Sequence, residues 1–225
     1  GAPLAAVALV WTLSGCGGDD NGVTTCIPPK TGSPPNCFAV GNMYQHNYQP
    51  SDDTTVALLD LGASVINMNV MSGSVPVFTR DITSGGNQYT EEIQKTLGIS
   101  FEEAERIKVG GRPGETSKDV VPQEVEESMR EVSETMLAEI QRSLDFYRAT
   151  ATSSRLERLL LCGGAARVPG LERIFHDRLE IPVEIANPFQ RVDIASSAGD
   201  EEMIRELGPS LCTAIGLGMR RGDDT

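Results

Sequence analysis

Asp60 closes the apolar run 54–60 and is followed by Leu61, Gly62, Ala63 and Ser64. Residues this small let backbone N–H groups come close to an anion such as a phosphate oxygen, and a carboxylate beside them can hold Mg2+ through water. An Asp-x-Gly turn between two strands is also, on its own, simply a turn. A second small-residue loop, Gly163, Gly164 and Ala165, follows the apolar run 159–162 and leads through Ala166 and Arg167 to Pro169. Between the two loops, Glu105 and Lys108 stand three apart, on one face of any helix that contains them, either as an ordinary surface ion pair or as an acid and a base turned toward a ligand. Small residues for backbone approach, a carboxylate for a cation and a charged pair for a sugar are what a nucleotide cleft requires.

These residues need elements to position them. Residues 54–60 are β-branched and apolar, and 64–71 alternate, with Ile66, Met68 and Val70 on one face and Asn67 and Asn69 on the other. After the turn residues Ser72, Gly73 and Ser74, 75–82 reads as a third strand, which makes an antiparallel meander. Past Gly85 and Gly86 the period becomes helical. Ile93 and Leu97 lie four apart, Gly98 suits a C-terminal cap, and Ser100 with Glu103 forms a capping box for a helix over 101–108. A polar linker around 113–119 leads to a long helix over 122–149 with the stripe Val125, Met129, Val132, Met136, Ile140, Leu144 and Tyr147. Residues 159–162 then read as a buried strand, 169–170 as a helix start and 183–185 as a short strand. Strands before, helices within and strands after describe an α/β domain with a helical insertion.

Composition narrows the function classes. A net charge of -13 and a pI near 4.6 oppose a nucleic-acid or anionic-membrane partner, which demands a surplus of Lys and Arg on one face. The five cysteines show no CxxC spacing, and with only two histidines a zinc site is not expected. Cys162 and Cys212 sit in apolar runs and read as reduced core residues, which points to a cytosolic setting. Lys95, Glu91 and Glu92 read as a solvated face, and His176 as a surface or packing residue. The segment 1–35 differs in texture. It has an apolar run over 3–13, then Leu13-Ser14-Gly15-Cys16, which resembles a bacterial lipobox, and then a Pro-rich stretch. It reads as a junction ahead of the domain or as a lipoprotein signal that anchors the chain through Cys16.

Taken in order, the segments NCFAVGNMY (36–44), VALLDLGAS (56–64), FTRD (78–81), GGNQYTEEI (85–93), NPF (187–189) and LGPSL (207–211) resemble the PilM family of type IV pilus assembly proteins, within the actin, Hsp70 and FtsA superfamily. The resemblance covers about residues 36–220. It implies an actin-like α/β nucleotide-binding domain of FtsA/PilM type, with a mixed sheet and a helical insertion subdomain, truncated at its N-terminal half. Residues 36–53 would be a residual helix of the first actin-like domain, 54–86 and 158–206 the sheet and loops of the second, 87–157 the insertion and 207–225 a last helix and tail.

The resemblance also assigns roles. Gly62, Ala63 and Ser64 match the second phosphate loop, with Asp60 near Mg2+. Gly163, Gly164 and Ala165 match the adenosine loop, with Arg167 beside the adenine, and Glu105 and Lys108 match the pair that holds ribose and base edge. It implies ATP and Mg2+ as ligands, a PilN-like inner-membrane partner and other pilus machine subunits, self-association in a ring, and a cytoplasmic place peripheral to the inner membrane. The first phosphate loop and most of the partner's peptide groove belong to the half not seen here. This chain is therefore expected to be a scaffold that binds ATP, and an active ATPase only where that half is supplied.

Overall fold

The computed structural model describes residues 36–110, 123–151, 155–195 and 198–219. The readings placed on 1–35, Cys16 among them, and on the linker 113–119 lie outside the described residues.

Strand β1 (Thr55–Leu61) is apolar at every position but Thr55 and Asp60, and nearly all of it is buried. A run of that kind belongs in the middle of a sheet covered on both faces. It lies third in a five-stranded sheet of order β3-β2-β1-β4-β5. β2 (Ile66–Ser72) and β3 (Val75–Ile82) complete the expected antiparallel meander. β4 (Arg158–Cys162) runs parallel to β1 on its other side, with Asp60 opposite Cys162, and β5 (Val183–Ile185) runs parallel to β4.

Because side chains alternate across a strand, β1 serves two cores. Ala57, Leu59 and Leu61 join Ile66, Met68, Val70, Leu159 and Leu161 under helices α4 (Gln123–Thr150) and α5 (Leu171–Leu179). Val56 and Leu58 join Met71, Leu160 and Cys162 under α1 (Asn36–Tyr48) and α7 (Gly208–Gly218). The result is three layers, helices on both faces of a mixed sheet. Cys162 and Cys212 are free thiols in the second core.

α2 (Asn87–Leu97) ends at Gly98 in the left-handed conformation, with φ 65°. α3 (Phe101–Lys108) starts with the capping box: the Ser100 hydroxyl accepts from the Glu103 amide, and the Ser100 amide donates to Glu103 Oε2 at 3.0 Å. Those hydrogen bonds hold the exposed Glu103 carboxyl below its ordinary range. α4 spans two clusters. Val125 packs with Ile93 and Ala104 of α2 and α3, while Met136, Ile140, Leu144 and Tyr147 enter the sheet's core, with Met129 and Val132 partly buried between. Leu137, off the expected stripe, is buried there too. α6 (Glu201–Glu206), which periodicity does not reveal, buries none of its residues. Among the described residues no helix is long and apolar enough to cross a membrane.

Two features at the margins matter later. β3 is an edge strand with Val75 and Val77 exposed, and the β2–β3 register slips at Val70/Met71. On the α1 side, α7 crosses so close that a Cβ on Gly216 would stand 1.7 Å from the Ala39 carbonyl oxygen. Overpacking of that kind costs about 3 kcal/mol. Gly216→Ala is therefore expected to lower the thermal unfolding midpoint by roughly 6–12 °C. Gly218→Ala, on the same helix with nothing within 4 Å of its Cβ, should leave the midpoint unchanged or slightly raised. Equal midpoints for the two variants in thermal circular dichroism would contradict this packing.

Candidate functional site

Asp60 stands where β1 leaves the sheet, half-buried, and its neighbours explain how a carboxylate is held there. Thr213 Oγ1, from α7, donates to Asp60 Oδ2 at 3.0 Å. Burial pushes the Asp60 carboxyl above its ordinary range, and the Thr213 hydrogen bond pulls it partway back. Gly163 packs directly against it: a Cβ there would lie 2.5 Å from Asp60 Oδ1 and from the Leu61 carbonyl oxygen. Gly163 also takes φ 86°, a conformation that L side chains rarely adopt. The two predicted small-residue loops are thus in contact, main chain against main chain.

The hairpin 61–66 is fixed by backbone hydrogen bonds. The Gly62 amide donates to the Val65 carbonyl at 3.1 Å, and the amides of Gly86 and Asn87 donate to the carbonyls of Gly62 and Ala63 at 2.9 and 2.8 Å. Asn87 Nδ2 reaches Ser64 Oγ at 3.3 Å. Ala63 and Ser64 are exposed at the tip.

Gly86 is where the predicted elements meet. A Cβ on it would fall 3.1 Å from Ala165 Cβ, 3.6 Å from Lys108 Nζ and 3.7 Å from the Gly62 carbonyl oxygen. One glycine therefore touches a residue of the 61–66 hairpin, of α3 and of the Gly-Gly loop. Lys108 is almost fully buried and donates to Glu105 Oε1, to Thr90 Oγ1 at 3.1 Å and to the Gly86 carbonyl at 3.4 Å. Thr90 in turn donates to Glu105 Oε1. All three ammonium hydrogens have partners within the protein. Lys108 thus fixes Glu105 and the Gly86 carbonyl, while Glu105 keeps about a third of its side chain open.

Gly164 is exposed, and its added Cβ would meet only Ser210 Oγ, at 4.0 Å. It opens a short 3-10 turn, Gly164–Arg167, in which Ala165 is buried. Arg167 is half-buried and has no acidic partner among the described residues. Sequence reasoning leaves Gly85, Gly86, Thr90 and Thr213 out of the site. The glycine pair just before a helix was a visible signal, whereas nothing marks Thr90 or Thr213. The outlying residues also behave simply: Lys95 pairs with Glu92 on the surface, and the exposed His176 meets the Ile181 carbonyl. A cavity of about 320 Å3, lined by Thr55, Ser72, Val77, Phe78, Tyr147, Thr150 and Ala151, lies at the opposite end of the strands from Asp60.

Known proteins share the fold that carries these residues. A family model described as type IV pilus assembly protein PilM matches residues 37–222. The cell division protein FtsA of Bacillus subtilis (strain 168) is 28% identical over 148 residues, 59% of this chain and 34% of FtsA. Among solved structures, a PilM-PilN type IV pilus biogenesis complex superposes with a TM-score of 0.67 at 24% identity, covering 81% of this chain and 51% of that one. An archaeal actin homolog in complex with ADP gives 0.53 at 14% identity, covering 80% and 54%. These likenesses show the actin-like fold. The chain spans about half the length of the solved relatives and a third of FtsA.

The raised Asp60 carboxyl predicts a pH-dependent stability. A group whose folded pKa exceeds its unfolded value contributes stability that is present below the ordinary 3.8 and lost as pH rises through the folded value. At pH 7 the charged Asp60 therefore costs stability that a neutral amide does not. Asp60→Asn should unfold at a higher temperature than the parent at pH 7, with the gap closing as pH falls toward 3.8. A gap that stayed constant or widened on acidification in calorimetric scans would contradict the placement of Asp60.

Proposed function

Because the chain belongs to the family of the type IV pilus assembly protein PilM, we propose that it binds ATP with Mg2+ and serves as a nucleotide-loaded scaffold of a type IV pilus assembly machine. The observation that carries this reading is the convergence at Gly86, where three elements far apart in sequence meet around a residue that has no side chain. Adenine and ribose would lie between Glu105 and the loop Gly163-Gly164-Ala165, with Lys108 bracing Glu105 and Arg167 placed to stack on the base. The phosphates would face Gly62, Ala63 and Ser64.

The donor set suits Mg2+. Among the described residues no three His, Cys, Asp or Glu side chains come together. An ion beside Asp60 would therefore draw its other ligands from water and phosphate oxygens, as Mg2+ habitually does. Bound ATP would then supply stabilisation by mass action, since it binds the folded cleft and not the unfolded chain. The actin homolog solved with ADP supports nucleotide as the ligand class. The solved PilM-PilN complex supports a PilN-like partner. A cytoplasmic position peripheral to the inner membrane, and assembly with other machine subunits in a ring, belong to the same proposal. Hydrolysis needs a residue that orients the attacking water and a complete phosphate clamp, which the first half of the fold would have to supply.

Gly164 provides the test. Its backbone is not left-handed and its surroundings are open, so Gly164→Val should leave the circular dichroism spectrum unchanged. A branched side chain there would occupy the space assigned to the base, and ATP affinity measured by calorimetric titration of the full-length protein should fall at least a hundredfold, about 2.7 kcal/mol. Asp60→Ala should instead remove the Mg2+ dependence of binding. A folded Gly164→Val protein with parental affinity would sink this placement of the nucleotide.

A further inference from the structure

Helix α7 is otherwise a packing helix, and it reaches Asp60 through one hydroxyl. Leu211, Cys212, Ala214, Ile215 and Leu217 surround Thr213 in the sequence, yet Thr213 Oγ1 donates to Asp60 Oδ2, 153 residues away.

A Ser or Thr inside a helix usually satisfies its hydroxyl on the carbonyl four residues back. On α4 five do so: Ser128 on Glu124, Ser133 on Met129, Thr135 on Glu131, Ser143 on Glu139 and Thr150 on Phe146. For Thr213 that carbonyl belongs to Pro209, and it already accepts the Gly163 amide at 2.8 Å. The hydroxyl is thereby diverted to Asp60. The other carboxylate oxygen, Oδ1, lies against the Cα of Gly163 and has no hydrogen-bond partner among the described residues. One oxygen of Asp60 is tied back, and the other is held clear.

The geometry points to Thr213 as a positioning residue for a divalent cation at Asp60. It occupies Oδ2, fixes the plane of the carboxylate and leaves Oδ1 to accept from the water shell of the ion. This inference rests on the reading of Asp60 as the Mg2+-side residue of the nucleotide cleft. A hydroxyl present only to fill space would be replaceable by an isosteric methyl, and a positioning hydroxyl is not.

The experiment is calorimetric titration of the full-length protein with ATP, with and without Mg2+, for the parent, Thr213→Val, Thr213→Ser and Asp60→Ala. Thr213→Val should bind metal-free ATP as the parent does and lose about tenfold of the Mg2+-dependent gain, the size expected for one hydrogen bond to a charged group. Thr213→Ser, which keeps the hydroxyl and drops the methyl, should restore the gain to within about twofold. If Thr213→Val does not fold, Thr213→Ala takes its place with the same expectation. Parental Mg2+ dependence in a folded Thr213→Val protein, alongside its loss in Asp60→Ala, would overturn the role of Thr213 and leave the cleft standing. Failure of Thr213→Ser to restore the gain would overturn it too. A parent protein whose ATP binding ignores Mg2+ would overturn both the inference and the reading of Asp60 beneath it.

Discussion

Around Asp60, main-chain atoms approach one another more closely than any side chain would permit, and the arrangement of the site depends on that approach. A Cβ at Gly163 would sit 2.5 Å from the Leu61 carbonyl oxygen, one at Gly85 would sit 2.5 Å from the Ala63 carbonyl oxygen, and one at Gly62 would sit 2.7 Å from the Val65 carbonyl oxygen. Glycine is costly in ordered structure because it gives up the most conformational freedom. Here the cost is offset by backbone hydrogen bonds, since the amides of Gly62, Gly86 and Gly163 all find carbonyl partners. The loops are held by their own backbones and need no side chain in the space between them.

The rest of the fold keeps that cluster in place. β1 is buried on both faces, so neither face can shift without disturbing a core. α4 ties α2 and α3 to the sheet, which keeps Glu105 and Lys108 in register with the loops. Lys108 tolerates its burial only because a carboxylate, a hydroxyl and a carbonyl surround it. Removing Glu105 would leave a desolvated ammonium without its counter-charge, a costly change in most proteins.

Much of this was legible from residue types. The meander, the capping box at Ser100 and Glu103 and most of the α4 stripe follow from local period and cap chemistry, which operate over a few residues. What escaped depends on contacts between distant segments. Alternation assigns Asn67 and Asn69 to one polar face. Asn67 does bond Asp81 near the surface, but Asn69 is 2% exposed beneath α1, close to Gly41 and within 3.5 Å of Thr79 Oγ1. No local pattern announces that a second helical layer covers that face. Thr213 is hidden for a similar reason, because a single threonine between Cys212 and Ala214 has no period at all. Gly86 was visible as a glycine before a helix, but its contacts with Ala165 and Lys108 exist only once the chain has closed.

The open edge of β3 bears on how copies of the protein meet in solution. An unpaired strand with exposed apolar residues, here Val75 and Val77, offers a template for another chain to extend the sheet. Pro76 sits between those two valines and has no N–H to give, and the register slip at Val70/Met71 bends the strand at the same place. The stickiest stretch of the edge is therefore the one least able to form a continuous ladder. Backbone chemistry thus disfavours edge-to-edge growth at the two exposed valines.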